Sequence, residues 1–325
     1  MSGSAPLVNA GFSMEQTHDD MVPLKQQSCV IGIDLGGTKV LAGIADHNGD
    51  ILKTKELPTF HGEKGSVLDQ MADVISALLA DTGRSETDLL RVVIGIPAAV
   101  DPKTGLASLS PNLRLPVDRS LAELMAKTIP CPITVENDVN LAAFAEAAAV
   151  KPHRGEALAF ISFGTGVGMG LVVNGELWRG AFGRAGEIGF LPVGARPHDH
   201  APMSENGLYE DAVGTRGIRA RFSVGIGTVA DLFVAARQGD QQACDAIDEV
   251  ARDASVGLAA IHALLDPSVT VIGGGIGTQP EFFAALKSHL QSLLPFECRV
   301  EPSRYGATAG MMGAVMLALN QAAVS

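Results

Sequence analysis

Cysteine is scarce in this chain: four in 325 residues, at positions 29, 131, 244 and 298, with no C-x-C or C-x-x-C pair among them. They read as reduced, partly buried thiols of a cytoplasmic protein. Long apolar runs are lacking too. Gly, Pro or charge interrupts each one well short of the ~20 residues that a membrane span requires, so no transmembrane helix is expected. Basic residues are outnumbered, 24 Lys and Arg against 36 Asp and Glu for a formal charge of −12, and they form no cluster. That argues against a nucleic-acid surface, which needs grouped cations to neutralise phosphates. It does not exclude a nucleotide, which arrives with magnesium and is held mainly by backbone amides, nor a neutral substrate. Residues 1–28 lack the n-region and apolar h-region of a secretory signal and show no sustained period, the composition of a disordered tail.

What is present is ample for about two domains, since 46% of the residues are hydrophobic. The chain is organised around residues 30–45, where two short apolar runs flank the turn Asp34-Leu35-Gly36-Gly37-Thr38-Lys39. Paired glycines supply positive φ and leave the amides bare, and amides, a hydroxyl and an ammonium are what a phosphate chain needs. Asp34 adds a carboxylate where a magnesium ion or its water could sit. Alone, D-x-G-G is also an ordinary tight turn between two strands. A second copy changes the balance. Residues 158–178 again give a strand, the turn Gly164-Thr165-Gly166, a returning strand and an Asn174-Gly175 hairpin signal, as the first copy runs on to Asn48-Gly49 and a third strand over 51–57. Two strand-strand-strand units half a chain apart point to a duplicated domain.

Between and beyond these units the pattern alternates. A 3,4 spacing of apolar residues predicts a helix within 65–82, and 92–96 reads as a buried strand that ends at Pro97. A short helix over 120–127 and a strand over 132–135 lead to Glu136-Asn137-Asp138-Val139-Asn140, where Asn or Asp before an Ala-rich run is a helix N-cap. A strand-to-helix junction of this kind also faces the cleft at the carboxyl ends of strands. Helices are expected over 228–236 and 244–265, strands over 269–272 and 298–301, and a small-residue helix over 306–318. Gly273-Gly274-Gly275 permits close approach of a purine or ribose, although such turns also serve strand-helix packing. The loop Pro197-His198-Asp199-His200 reads as solvated rather than metal-binding.

Taken in order, D-L-G-G-T-K at 34–39, E-N-D-V-N-L-A-A at 136–143, F-G-T-G-V-G-M-G at 163–170, G-R-A-G-E-I-G at 183–189 and I-G-G-G-I at 272–276 resemble the ROK family of sugar kinases and sugar-responsive repressors. The resemblance implies an α/β protein of the two-domain, actin-like, ribonuclease-H-like type with an interdomain cleft. One domain would comprise 29–135 with 306–325, the other 136–305, and members commonly pair into homodimers. It implies an ATP-dependent kinase, of the glucokinase or N-acylhexosamine kinase kind, acting on a hexose or N-acylhexosamine, most simply at its 6-OH. Asp138 would be the catalytic base, and Asn112, Asn137, Glu187 and Glu210 would bind the remaining hydroxyls. Amides and hydroxyls of Gly36, Gly37, Thr38, Gly164, Thr165 and Gly166 would cradle the phosphates, with Gly273, Gly274 and Gly275 near the nucleoside and Asp34 holding Mg2+ through water. Lys39 would add positive charge or would simply be a surface lysine at a strand start; an Asn such as Asn112 in a loop is more often a turn residue.

The chain also departs from the family pattern. Ala98 stands where a Gly is usual, Phe190 stands where a His contacts the sugar near its anomeric end, and Leu208 replaces a cysteine. No cysteine lies between Phe190 and Cys244, so no structural zinc site of the family type is expected. A sensor without catalysis is the alternative to a kinase. Residues 1–28 leave no space for the winged helix-turn-helix that the repressors place before the sugar domain.

Overall fold

The structure is a computed structural model and describes residues 27–60, 66–109, 118–222 and 227–323. Asn112 and all but the last two residues of the expected tail lie outside the described residues. The chain opens with β1 (Cys29–Leu35) and β2 (Lys39–Asp46), which pair antiparallel around the Gly36-Gly37 turn, and β3 (Ile51–Pro58) adds antiparallel to β2. Helix α1 (Val67–Asp81), capped by the Ser66 hydroxyl, buries Met71, Val74, Ile75, Leu78 and Leu79, which recur every three or four residues and so share one face. It returns the chain to β4 (Leu89–Ile96), parallel to β1. A small hairpin of β5 (Ala99–Val100) and β6 (Ala107–Ser108) follows. Next comes α2 (Leu121–Met125), opened by a Ser120/Glu123 capping box, and then β7 (Ile133–Asn137), parallel to β4. The first sheet therefore runs β3-β2-β1-β4-β7.

Helix α3 (Asp138–Val150) starts directly from the end of β7 and is buried on nearly every side, which is why its sequence is Ala-rich rather than amphipathic. The second sheet repeats the plan of the first. β8 (Ala157–Phe163), β9 (Val167–Val173) and β10 (Glu176–Leu177) form the antiparallel unit. Short helices α4 (Pro197–His200), α5 (Leu208–Val213) and α6 (Thr215–Arg221) precede α7 (Val229–Arg237) and the long α8 (Gln241–Leu265). β11 (Val269–Gly273) joins β8 in parallel and passes straight into α9 (Gly274–Gly277), so the glycine run is helical from Gly274 on rather than a loop. Helix α10 (Pro280–Gln291), β12 (Val300–Pro302) and α11 (Ala309–Ala323) complete the chain, and the sheet order is β10-β9-β8-β11-β12.

Helices α3 and α11 lie between the two sheets. One apolar cluster joins their inner faces to Val30, Leu41 and Val93 of the first sheet and to Leu158, Phe160 and Val172 of the second. Each sheet keeps a separate core on its other face. The central layer is tight because glycines let backbones touch: a Cβ on Gly313 of α11 would fall 1.8 Å from the Leu141 carbonyl oxygen of α3. Among the described residues no helix is long and apolar enough to cross a membrane.

Candidate functional site

Three backbone turns meet the requirements set by the sequence. In the first, the Gly36 N–H donates to the Lys39 carbonyl at 2.9 Å, and in the second, one residue shorter, the Gly164 N–H donates to the Gly166 carbonyl at 2.9 Å. Thr38 and Thr165, at their tips, are exposed. The third is the β11–α9 junction. Gly274 has φ of 81°, and a Cβ there would lie 2.3 Å from the Phe163 carbonyl oxygen, so only glycine fits. Gly275 beside it faces open space, with no atom within 4 Å of a built Cβ, whereas a Cβ on Gly164 would be 3.6 Å from the Gly275 nitrogen. The second and third turns thus approach each other through backbone, and Gly275 leaves space beside them.

Four carboxylates run through the same region. Asp138 is the first residue of α3, and its Oδ1 accepts the Val139 N–H at 2.8 Å. Burial, then the neighbouring charges of Asp34 and Glu187, hold its carboxyl well above the usual range, and the Val139 bond opposes them only in part. Asp34, at the end of β1, is raised by burial, with the Lys39 charge acting against it. Glu187 is raised by burial and by Glu210, and Glu210 by burial. Asp138 is thus within electrostatic reach of Asp34 and Glu187, and Glu187 within reach of Glu210. Such a series of half-buried acids lacks a compensating cation of its own at Asp138, a pattern typical of a site rather than of a core.

The other candidates fall into place around this series. Glu210 reaches the second turn directly: its Oε2 accepts the Val167 N–H at 3.0 Å, and a Cβ on Gly166 would collide with that oxygen at 2.4 Å. Asn137 caps α3, accepting the Asn140 N–H at 3.0 Å and donating to the Ala98 carbonyl at 3.2 Å, which leaves its second amide hydrogen for a ligand. Lys39 pairs with Glu56 across β2 and β3 at 2.9 Å on an exposed face, so a phosphate would have to draw it out of that pair. Phe190 is 47% exposed and follows Glu187 by three residues in a short 3-10 turn, where positions i and i+3 lie over one another. His198 and His200 are exposed, and among the described residues no group of three or more His, Cys, Asp or Glu side chains is arranged to hold a metal ion.

Comparison with known proteins agrees with this geometry. Residues 30–321 match the ROK family. The chain belongs to the ROK family. It is 30% identical to a glucokinase of Streptomyces coelicolor over 319 residues, covering 89% of this chain and 96% of that one. It is also 30% identical to a beta-glucoside kinase of Listeria monocytogenes over 294 residues, with 88% and 96% covered. Among solved structures it superposes with a TM-score of 0.76 and 28% identity on a ROK family glucokinase from Streptomyces griseus in complex with glucose and AMPPNP, covering 90% of this chain and all of that one. The ROK fold seen here is thus the two-domain, actin-like α/β fold of these sugar kinases.

Some of what shapes the site in this ROK chain carries no sequence signal. Glu136, only 3% exposed, accepts the Asn137 N–H and the Asn140 side-chain amide through one oxygen and pairs with Arg179 through the other. That pair ties the start of α3 to the loop after β10, which leads to Glu187. Gly310, in the first turn of α11, lies against Asp34, and a Cβ there would be 2.6 Å from Asp34 Oδ2. The sequence marks Glu136 only as a neighbour of Asn137, and Gly310 only as a small residue in a helix.

Proposed function

We propose that this protein is an ATP-dependent sugar kinase that transfers the γ-phosphate to a hydroxyl, the 6-OH in the simplest case, of a hexose or an N-acylhexosamine. The observation that supports this most is Asp138: a carboxylate of raised proton affinity at a helix start, within electrostatic reach of Asp34 at the end of β1 and of Glu187. Phosphoryl transfer asks for positioning, charge neutralisation and a proton acceptor, with little covalent chemistry by the protein. In the proposed step the sugar hydroxyl oxygen attacks the γ-phosphorus, the new O–P bond forms as the bond to the β-phosphate oxygen breaks, ADP departs, and the proton passes to Asp138. Glu187, Glu210 and Asn137 bind the remaining hydroxyls, since paired oxygens and a mixed amide suit vicinal diols. Asn112 completes that set.

Backbone amides of Gly36, Gly37, Gly164 and Gly166 with the Thr38 and Thr165 hydroxyls receive the phosphates, and the opening beside Gly275 receives the nucleoside. The donor set also fits Mg2+. Asp34 and Asp138 repel one another, and magnesium is commonly held by one or two carboxylates with waters and phosphates rather than by a full protein cage. When bound there, the ion neutralises charge on the phosphates. Closing residues 29–135 with 306–325 onto 136–305 keeps water from taking the phosphoryl group.

The test is ADP release by the purified protein with ATP and Mg2+, offered glucose, mannose, fructose, N-acetylglucosamine, N-acetylmannosamine and a β-glucoside in turn. At least one sugar should raise ADP release far above the rate without sugar. A flat response across the panel, with sugar binding intact, would leave the sensor reading in its place.

A further inference from the structure

The two phosphate turns are braced from outside by residues that neither motif contains. Thr59 follows β3 and is 5% exposed; its hydroxyl donates to the Gly36 carbonyl at 2.7 Å and its N–H to the Thr38 carbonyl at 3.0 Å. Thr215 opens α6; its hydroxyl donates to the Gly164 carbonyl at 2.9 Å, and its N–H is shared between the Gly164 and Thr165 carbonyls at 3.1 and 3.2 Å. In each turn, then, a threonine remote in sequence holds the carbonyl of the leading glycine with its side chain and a second anchor with its backbone. The two threonines come from unrelated positions, one after the third strand of its unit and the other at a helix start well beyond it, so the likeness is not inherited from the strand repeat.

A peptide unit is planar and, here, trans, so its carbonyl and its N–H point in opposite directions. Fixing the Gly36 carbonyl therefore fixes the direction of the Gly37 N–H, and fixing the Gly164 carbonyl fixes that of the Thr165 N–H. Glycine allows both peptide orientations at little energetic difference, so a glycine turn without such a brace samples the flipped plane. We infer that Thr59 and Thr215 are positioning residues for phosphoryl transfer: each selects the peptide orientation that aims its turn's amide at the phosphates. This rests on the kinase reading of the site, because only there do the amides have phosphates to meet. It requires no contact between either threonine and a ligand.

The test is calorimetric titration of the full chain with ATP, ADP and AMP, and separately with the sugar that the panel selects, for the wild type, Thr59→Ser, Thr59→Val, Thr215→Ser and Thr215→Val. Serine keeps the hydroxyl, and valine keeps the shape without it. Both serine variants should stay within about twofold of wild type, and each valine variant should lose about five- to tenfold in ATP and ADP affinity, the worth of one hydrogen bond acting through an amide. AMP and sugar affinities should hold, because AMP lacks the β- and γ-phosphates. A merely structural role would lower all four affinities together or none. Valine variants that bind ATP like the wild type, or that lose AMP and sugar in equal measure, overturn the inference. Should buried Thr59→Val fail to fold, the part-buried Thr215→Val carries the test alone. A wild type that binds nucleotide and never phosphorylates a sugar removes the kinase reading and, with it, the role in phosphoryl transfer, whereas an active wild type with unaffected valine variants removes the inference alone; a wild type without nucleotide affinity removes both.

Discussion

At the scale of single residues, the site holds carboxylates whose charge their own surroundings disfavour. Asp138 is pushed up by burial and by Asp34 and Glu187, so its charge is a burden on the empty fold and an asset in proton transfer. We expect Asp138→Asn to raise the thermal midpoint of the ligand-free protein at pH 8, measured by scanning calorimetry, even as it disables catalysis; a lower midpoint would show that the carboxylate is structurally required. Gly275 gives the opposite kind of prediction. Nothing lies within 4 Å of a Cβ built there, and valine is a better helix former than glycine, so Gly275→Val should fold as well as wild type. It should nonetheless raise the KM for ATP by about tenfold or more, since the branched side chain occupies the opening assigned to the nucleoside. Unchanged ATP kinetics would move the nucleoside elsewhere.

At the scale of elements, α3 does two jobs, presenting Asp138 at its start and bracing the chain's last turn from its far end. Glu146, wholly buried, accepts the Ser303 hydroxyl and the Arg304 and Tyr305 N–H groups, just before α11 begins. Replacing it with alanine strands three part-buried donors and leaves a void where the buried carboxylate stood, and Glu146→Ala should therefore lose about 2 kcal/mol of unfolding free energy in urea titration. The longer elements were readable from pattern, whereas 197–200, expected as a loop, is the short helix α4, and α5 and α6 carried no periodic signal. The 3,4 spacing within 65–82 marked α1, and the Asn-Gly signals marked the two antiparallel units. What escaped was set by contacts across the fold. Gly168 and Gly170 look like part of the G-T-G motif, yet they seat α3: a Cβ on Gly170 would be 2.6 Å from the Ala143 Cβ. The glycine run after β11 continues as α9, and α11 starts at Ala309, three residues later than its small-residue pattern begins, because a 3-10 turn occupies 306–308. The brace of Thr59 and the pair of Glu136 with Arg179 join segments distant in sequence, where no periodicity records the contact. Candidate carboxylates were legible through the resemblance of their motifs to the ROK family; which of them influence one another was not, being a product of the two sheets closing on α3 and α11.

At the scale of the whole molecule, four raised carboxylates give the empty protein a definite pH response. Unfolded, these groups titrate near pH ~4; folded, each holds its proton to higher pH. Between those ranges the folded state binds more protons than the unfolded one, so these groups make stability fall as pH rises above ~4 and through their elevated folded values. Urea titrations of the ligand-free protein and of its Asp34→Asn variant across pH 5 to 8 should show a steeper fall for the wild type; parallel curves would mean that Asp34 carries no such strain. Duplicated sheets, a shared helical layer and glycine turns at corresponding strand ends fit the proposed arrangement, a triphosphate between two β-units with an acid at its end. The most direct test of that arrangement is single-turnover phosphoryl transfer from ATP to the preferred sugar by wild type and Asp138→Asn, with both ligands shown to be bound. We expect binding within a few-fold of wild type and a transfer rate lower by on the order of a hundredfold or more. A variant that transfers phosphate at the wild-type rate would contradict the assignment of Asp138 as the base.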